Sequence, residues 1–361
     1  MEVCRLWGDR PLYPPESHDV NEAVLNPVRV RLARELKEWS QADLARQVAL
    51  TPAAISQIEA GSQRASPATF EQLAQVLCVP TSFLCMPVTE THEGFFRSLR
   101  RSSVTHRRKA RAIAHVAHDL GLASSGDVDE PRLMTIPHLP VSGLDASRQE
   151  VEGIAAQVRT ALGIPPGPVR NVVEVLEACG VLVIRLPLDT ADVDAFSLPF
   201  PDLPVVVLGT DKQDRARSRF DAAHELGHLV LHGAHVWGVK EVEQQAHWFA
   251  AAFLMPAAEI EAFLPSRPDW PRLFALKTEW EVSLAALLMR AKTLGRMTDS
   301  QYLTAVKAAS ARGWRRSEPI PLGDPEQPEW LARILNGPAG ARAAAGLPGE
   351  VVDSLAKATA A

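Results

Sequence analysis

The chain has 361 residues, a formal net charge of −5 and 46% apolar residues, enough for two or three domains with buried cores. That charge excludes a surface coated uniformly for nucleic acid, so any nucleic-acid face must be local. Cys4, Cys78, Cys85 and Cys179 form no CxxC pair, and no signal-peptide core or membrane-length apolar run occurs; a reduced, cytoplasmic protein with no membrane partner is expected.

Residues 1–25 are proline-containing and aperiodic, and read as a flexible N-terminal arm. Short helical patterns follow over residues 26–86. Ser40 is placed to cap a helix over residues 41–47, and Thr51 to cap a second one that has Pro52 in its first turn and ends at Gly61. Leu44, Ala45, Val48, Ile55 and Ile58 supply a shared apolar face. Two short capped helices joined by a tight turn predict a helix-turn-helix, with the second helix in the major groove. Ala53, Ala54 and Gln57 then face base edges, where Gln pairs with adenine and Ala methyls meet thymine. Thr51 stands at the start of that helix, and Gln41 at the first turn of the preceding one is placed to hold a phosphate.

This segment resembles the XRE (Cro/repressor-like) helix-turn-helix family, through Ser40-Gln41, Leu44-Ala45, Ile55-Ser56 and Ile58-Glu59 followed by Gly61. The resemblance implies a structural ion pair between Arg34 and Glu59. Phosphate attraction is expected from Arg29, Arg31, Arg46 and Arg64, and from a basic helical connector and linker over residues 87–148 that carries Arg97, Arg100, Arg101, Arg107, Arg108, Lys109 and Arg111.

From residue 149 the pattern changes. Two helices with glycine stops, VEGIAAQVRTALG and NVVEVLEACG, precede three β-branched runs, VLVIRLPL, AFSLPF and LPVVVLG, which read as strands. Helical patterns then extend to about residue 316, and a Pro/Gly/Ala-rich tail, expected to be peripheral, occupies residues 317–361. The fold class expected is multidomain: an all-α helix-turn-helix domain, then an α+β domain with a small sheet and a mostly helical C-terminal part, whose class the next segment decides.

The segment DAAHELGHLVLH carries the chemistry. On a helix, residues four apart share a face, so His224 and His228 can offer nitrogens to one ion. Glu225 beside them can act as a general base. This is the HExxH arrangement of zinc-dependent hydrolases. A third ligand is required, from among His232, His235, Glu241, Glu243 and His247. His232 lies about 12 Å of helical rise from His224 and cannot share the ion with both other histidines. Glu243 and His247 are four apart on the next helix and face one way, whereas Glu241 points elsewhere.

DAAHELGHLVLH followed by EVEQQAHWFAAAFLMP resembles the ImmA/IrrE family of zinc metallopeptidases, over roughly residues 149–316. The resemblance implies a zincin-like metallopeptidase domain in which His224, His228 and Glu243 are the zinc ligands and Glu225 the base. His247 stands where that family has Asn or Asp, so it either supports a ligand or binds metal itself. His232, His247 and Tyr302 are the candidates for stabilising the reacting carbonyl. His₂Glu ligation also admits Mn²⁺ or Fe²⁺. The function expected is a DNA-binding transcriptional regulator with a zinc-dependent endopeptidase domain. It would bind a double-stranded operator as a homodimer and cleave itself or a partner helix-turn-helix repressor, as in stress-response switching. The alternative is a non-proteolytic metal- or ligand-sensing regulator, or an antitoxin-type repressor with a toxin partner.

Overall fold

A computed structural model of the chain describes residues 24–91, 104–124, 134–188, 194–232 and 239–360. The N-terminal arm up to residue 23, Arg97, Arg100 and Arg101 of the connector, and His235 lie outside the described residues. The chain forms two compact units, each assembled from separate stretches of sequence: Met1–Thr89, Arg108–Val128 and Ile334–Ser354 make the first, and most of the remainder makes the second.

The first unit is helical. Helices α1 (Pro27–Leu36), α2 (Gln41–Gln47), α3 (Pro52–Glu59), α4 (Pro67–Leu77) and α5 (Thr81–Cys85) begin where local chemistry allows. Asn26, Ser40, Thr51 and Ser66 each accept a backbone N–H of the helix that follows, and Ser40 with Asp43 closes a reciprocal capping box. Leu32, Leu44, Ala45, Ile55, Ile58, Leu73 and Phe83 are buried between these helices; each large apolar side chain contributes about 1.5–3 kcal/mol by leaving water. Arg34 and Glu59 form the expected ion pair, bidentate at 2.6 and 2.8 Å and buried. The arginine also donates to the Trp39 carbonyl at 2.8 Å, so the pair ties α1, the α1–α2 turn and α3 together.

The connector and the tail supply parts of this unit. Helix α6 (Val104–Ala123) joins it from Arg108 onward, where Asp119 accepts from Arg29 at 2.9 Å and Lys109 pairs with Glu38 at 2.7 Å. Lys109 therefore neutralises an acid of the helical unit, and Arg108 lies 3.9 Å from Glu35. The tail is not peripheral. Ala339 and Ala343 of α16 (Pro338–Ala345), Leu347 in the turn that follows and Val351 of α17 (Gly349–Ala360) are buried.

In the second unit, α7 (Arg148–Ala161) and α8 (Val172–Ala178) precede a three-stranded sheet of β1 (Leu182–Leu186), β2 (Ala195–Leu198) and β3 (Val205–Gly209), in the order β1-β3-β2. β3 is parallel to β1 and antiparallel to β2. The three β-branched runs thus form strands as expected. Helices α9 (Arg215–Leu231) and α10 (Lys240–Leu254) pack on each other, with α9 against β2 and β3 and α10 against α7. α11 (Ala257–Ile260), α12 (Trp270–Trp280), α13 (Leu284–Thr293) and α14 (Asp299–Ala311) complete the helical side, and α15 (Trp330–Asn336) follows. Here too the tail contributes: Glu326 is buried, pairs with Arg219 of α9 and accepts the Val172 N–H at 2.8 Å.

Candidate metal centre

The α9–α10 packing brings the predicted ligands together. One ligand atom from each of His224, His228 and Glu243 lies within 4.8 Å of the other two. The Nε2 atoms of His224 and His228 are 3.0 Å apart, and Glu243 Oε2 lies 3.4 Å from the first and 4.0 Å from the second. Tetrahedral zinc with bonds of about 2.0–2.1 Å sets its ligand atoms about 3.3 Å apart, so the three measured edges bracket the required triangle. Glu243 Oε1 and His224 Nδ1 are buried with no hydrogen-bond partner among the described residues. A buried carboxylate oxygen left that way is costly unless a cation meets it. The donor set fits a divalent metal.

Close approach of α9 to α10 depends on Gly227, over which Phe249 packs; a Cβ there would lie only 2.9 Å from Phe249 Cδ1. Burial opposes protonation of His224, but the Glu243 hydrogen bond and the charges of Glu225, Glu243 and Asp221 outweigh it and raise its pKa. The same negative surroundings favour a cation. Burial, then the neighbouring histidines, push His228 well down, which keeps it neutral, as a ligand must be.

Glu225 is buried and lines the same cleft as the three ligands. Its Oε2 accepts the Ser197 hydroxyl at 2.7 Å, from β2. Burial raises its pKa to about 7 against the lowering effects of His224 and Ser197, a value suited to taking and returning a proton near neutrality. Ser197 carried no signal in the sequence. Asp221, four residues before Glu225, is also in the cleft wall and is raised to about 7, chiefly by burial and then by Asp194. The cleft has a volume of about 1080 Å³ and an apolar wall from Trp248, Leu288, Met289, Val306 and Trp314, large enough for several residues of a peptide.

The other candidates separate. His247 lines the cleft with its ring edge-on to His224 at 4.6 Å, while its Nδ1 bonds the Glu243 carbonyl at 2.8 Å; it is outside the ligand triangle. Tyr302 also lines the cleft. His232 does not. It is buried behind His228, its Nδ1 3.1 Å from His228 Nδ1 and its Nε2 2.9 Å from Gln245 Oε1. With both ring nitrogens so placed, it is no donor to a substrate carbonyl. Gln245 was not singled out in the sequence, since one glutamine in an amphipathic helix has no spacing signature. Glu241 is exposed on α10, outside the cleft wall.

In the first unit Thr51, Ala53, Gln57 and Arg64 are exposed and Ala54 is half-buried. Thr51 spends its hydroxyl on the Ala54 N–H at 3.1 Å. Gln41 is half-buried and its amide donates to Glu59 at 2.9 Å, which engages the side chain expected to hold a phosphate in the Arg34–Glu59 pair.

Two capped helices joined by a tight turn and a half-buried His–His–Glu triangle with an adjacent carboxylate define a chain that joins a helix-turn-helix domain to a metallopeptidase-like domain. Comparison with known families agrees. Residues 30–84 match the family model described as helix-turn-helix, and residues 176–292 match the IrrE N-terminal-like domain of peptidase family M78. No curated protein is similar enough to count as a relative.

Proposed function

We propose that this protein is a DNA-binding regulator whose second unit is a zinc-dependent endopeptidase, acting on its own connector or on a separate helix-turn-helix repressor. The observation that carries the reading is the convergence of His224, His228 and Glu243 at ligand spacing in the cleft that Glu225 also lines.

Zinc held there would supply Lewis acidity, polarising the scissile carbonyl and acidifying the attacking water. The protein's part follows from the side chains. Glu225, oriented by the Ser197 hydroxyl, takes the proton of the attacking water and delivers it to the departing amine. The apolar wall excludes water from the peptide on one side, and Tyr302 stands along the cleft as a donor toward the substrate carbonyl. Ala53, Ala54 and Gln57 on α3 face the major groove of an operator, with two copies of the chain on a palindromic site.

Metal-loaded wild type and Glu225→Gln, each incubated alone and with a helix-turn-helix repressor, distinguish the possibilities by intact-mass spectrometry. A specific internal cut made by wild type and absent from Glu225→Gln is expected. The same cut in a homogeneous Glu225→Gln preparation would remove Glu225 from the role of base. Operator binding without any cut by loaded wild type would replace proteolysis with metal sensing.

A further inference from the structure

The hydrogen bonds behind His228 run in one direction, and that direction can be worked out from their far end. Gln245 places one amide atom 2.9 Å from the Gly143 carbonyl and 3.1 Å from the Leu144 carbonyl. Carbonyl oxygens only accept, so that atom is the NH₂ and the other amide atom is the oxygen. The oxygen lies 2.9 Å from His232 Nε2, which must therefore carry its proton. A neutral imidazole has one N–H, so His232 Nδ1 is a bare acceptor. It faces His228 Nδ1 at 3.1 Å, and that nitrogen in turn must donate. The proton of His228 is thus held on Nδ1, and the lone pair of Nε2 is left facing His224 Nε2 and Glu243 Oε2.

We infer that His232 and Gln245 are positioning residues: anchored on the Gly143 and Leu144 carbonyls, they lock His228 in the one tautomer that can ligate a metal through Nε2. This inference rests on the metal-site reading for its consequence, though not for the tautomer itself. The three side chains are buried, at 0, 8 and 1% exposure for His228, His232 and Gln245, so water competes poorly for these bonds. The loop before α7 is thereby linked to the metal ligands. A metal-bound histidine whose other nitrogen lacks an acceptor is free to rotate or to carry its proton on the wrong atom, and losing such support commonly weakens metal binding about 10–100-fold.

The test uses the full chain stripped of metal. Long-range ¹H–¹⁵N correlation of the histidine rings reads each tautomer directly, and chelator competition reads zinc affinity. In wild type, His228 should show the proton on Nδ1 and His232 on Nε2. Gln245→Leu, which deletes the acceptor, should release both tautomers and weaken zinc binding about 10–100-fold. Gln245→Glu restores both readouts only in its protonated form, which alone keeps an acceptor for His232 and an O–H donor for a loop carbonyl. A wild-type His228 protonated on Nε2 would overturn the inference, whether or not the leucine variant folds. So would a folded Gln245→Leu with wild-type zinc affinity. Correct tautomers in a wild-type chain that binds no zinc would leave the relay standing and sink the metallopeptidase reading.

Discussion

Replacing Gly227 with alanine sets a favourable effect against an unfavourable one, and the geometry decides between them. In the interior of α9, alanine gains about 1 kcal/mol over glycine in helix propensity. The added Cβ, however, would lie 2.9, 3.1 and 3.2 Å from Cδ1, Cγ and Cβ of Phe249, where relaxed carbon contacts are about 3.5–4.0 Å. Phe249 is fully buried and stacks on Phe253 at 5.7 Å, so the ring has nowhere to swing and α10 must retreat by roughly 0.5 Å. Overpacking of this kind costs about 1–3 kcal/mol, which leaves a net destabilisation on the order of 1 kcal/mol. The larger effect falls on the metal site. Glu243 rides on α10, and metal–ligand distances tolerate only about 0.2 Å of error, so zinc affinity should fall about tenfold or more. Urea denaturation and chelator competition read the two effects separately. Gly153 of α7, whose added Cβ would meet nothing within 4 Å, is the control: alanine there should stabilise by about 0.5–1 kcal/mol and leave zinc binding alone. A Gly227→Ala protein as stable as the Gly153→Ala control, with wild-type zinc affinity, would refute the packing argument.

Two further outcomes are expected. Glu177 on α8 accepts the backbone N–H groups of Trp330 and Glu329 at 2.9 and 3.1 Å, yet burial raises its pKa from 4.5 to about 7. The folded state then binds the proton more tightly than the unfolded state, so this contribution is complete below about pH 4.5 and is lost as pH rises through about 7, with up to about 3 kcal/mol at stake. Urea melts of wild type and Glu177→Gln at about pH 5 and about pH 8 should show a shallower pH dependence in the variant; parallel curves would count against the assignment. Gln57→Ala removes an exposed amide from α3, and operator affinity should drop about tenfold to a hundredfold with no change in melting temperature; unchanged affinity would take Gln57 out of base recognition.

What the sequence made legible was whatever is encoded locally. Ser40 and Thr51 cap helices through atoms three residues away, so the helix-turn-helix could be read residue by residue. His224 and His228 share a helix face by spacing alone. Glu243 needed the resemblance as well, because its approach depends on α10 packing over Gly227. The parts that escaped are tertiary. Ser197 reaches Glu225 from a strand 28 residues away in sequence, and Glu326 reaches Arg219 across 107 residues. Gln245 gains its meaning only from His232 on one side and two loop carbonyls on the other. The tail looked peripheral because prolines, glycines and alanines dominate it, although a few apolar residues and one glutamate suffice to bury it.

The central claim is that His224, His228 and Glu243 form one metal site, and zinc titration of the metal-stripped full chain, wild type against Glu243→Ala, tests it most directly. Stoichiometric tight binding by wild type and a loss of at least about a hundredfold in affinity in the variant are expected, since a triangle with one corner removed holds zinc through two nitrogens only. Equal affinity in the two proteins, or no binding by wild type, would contradict it.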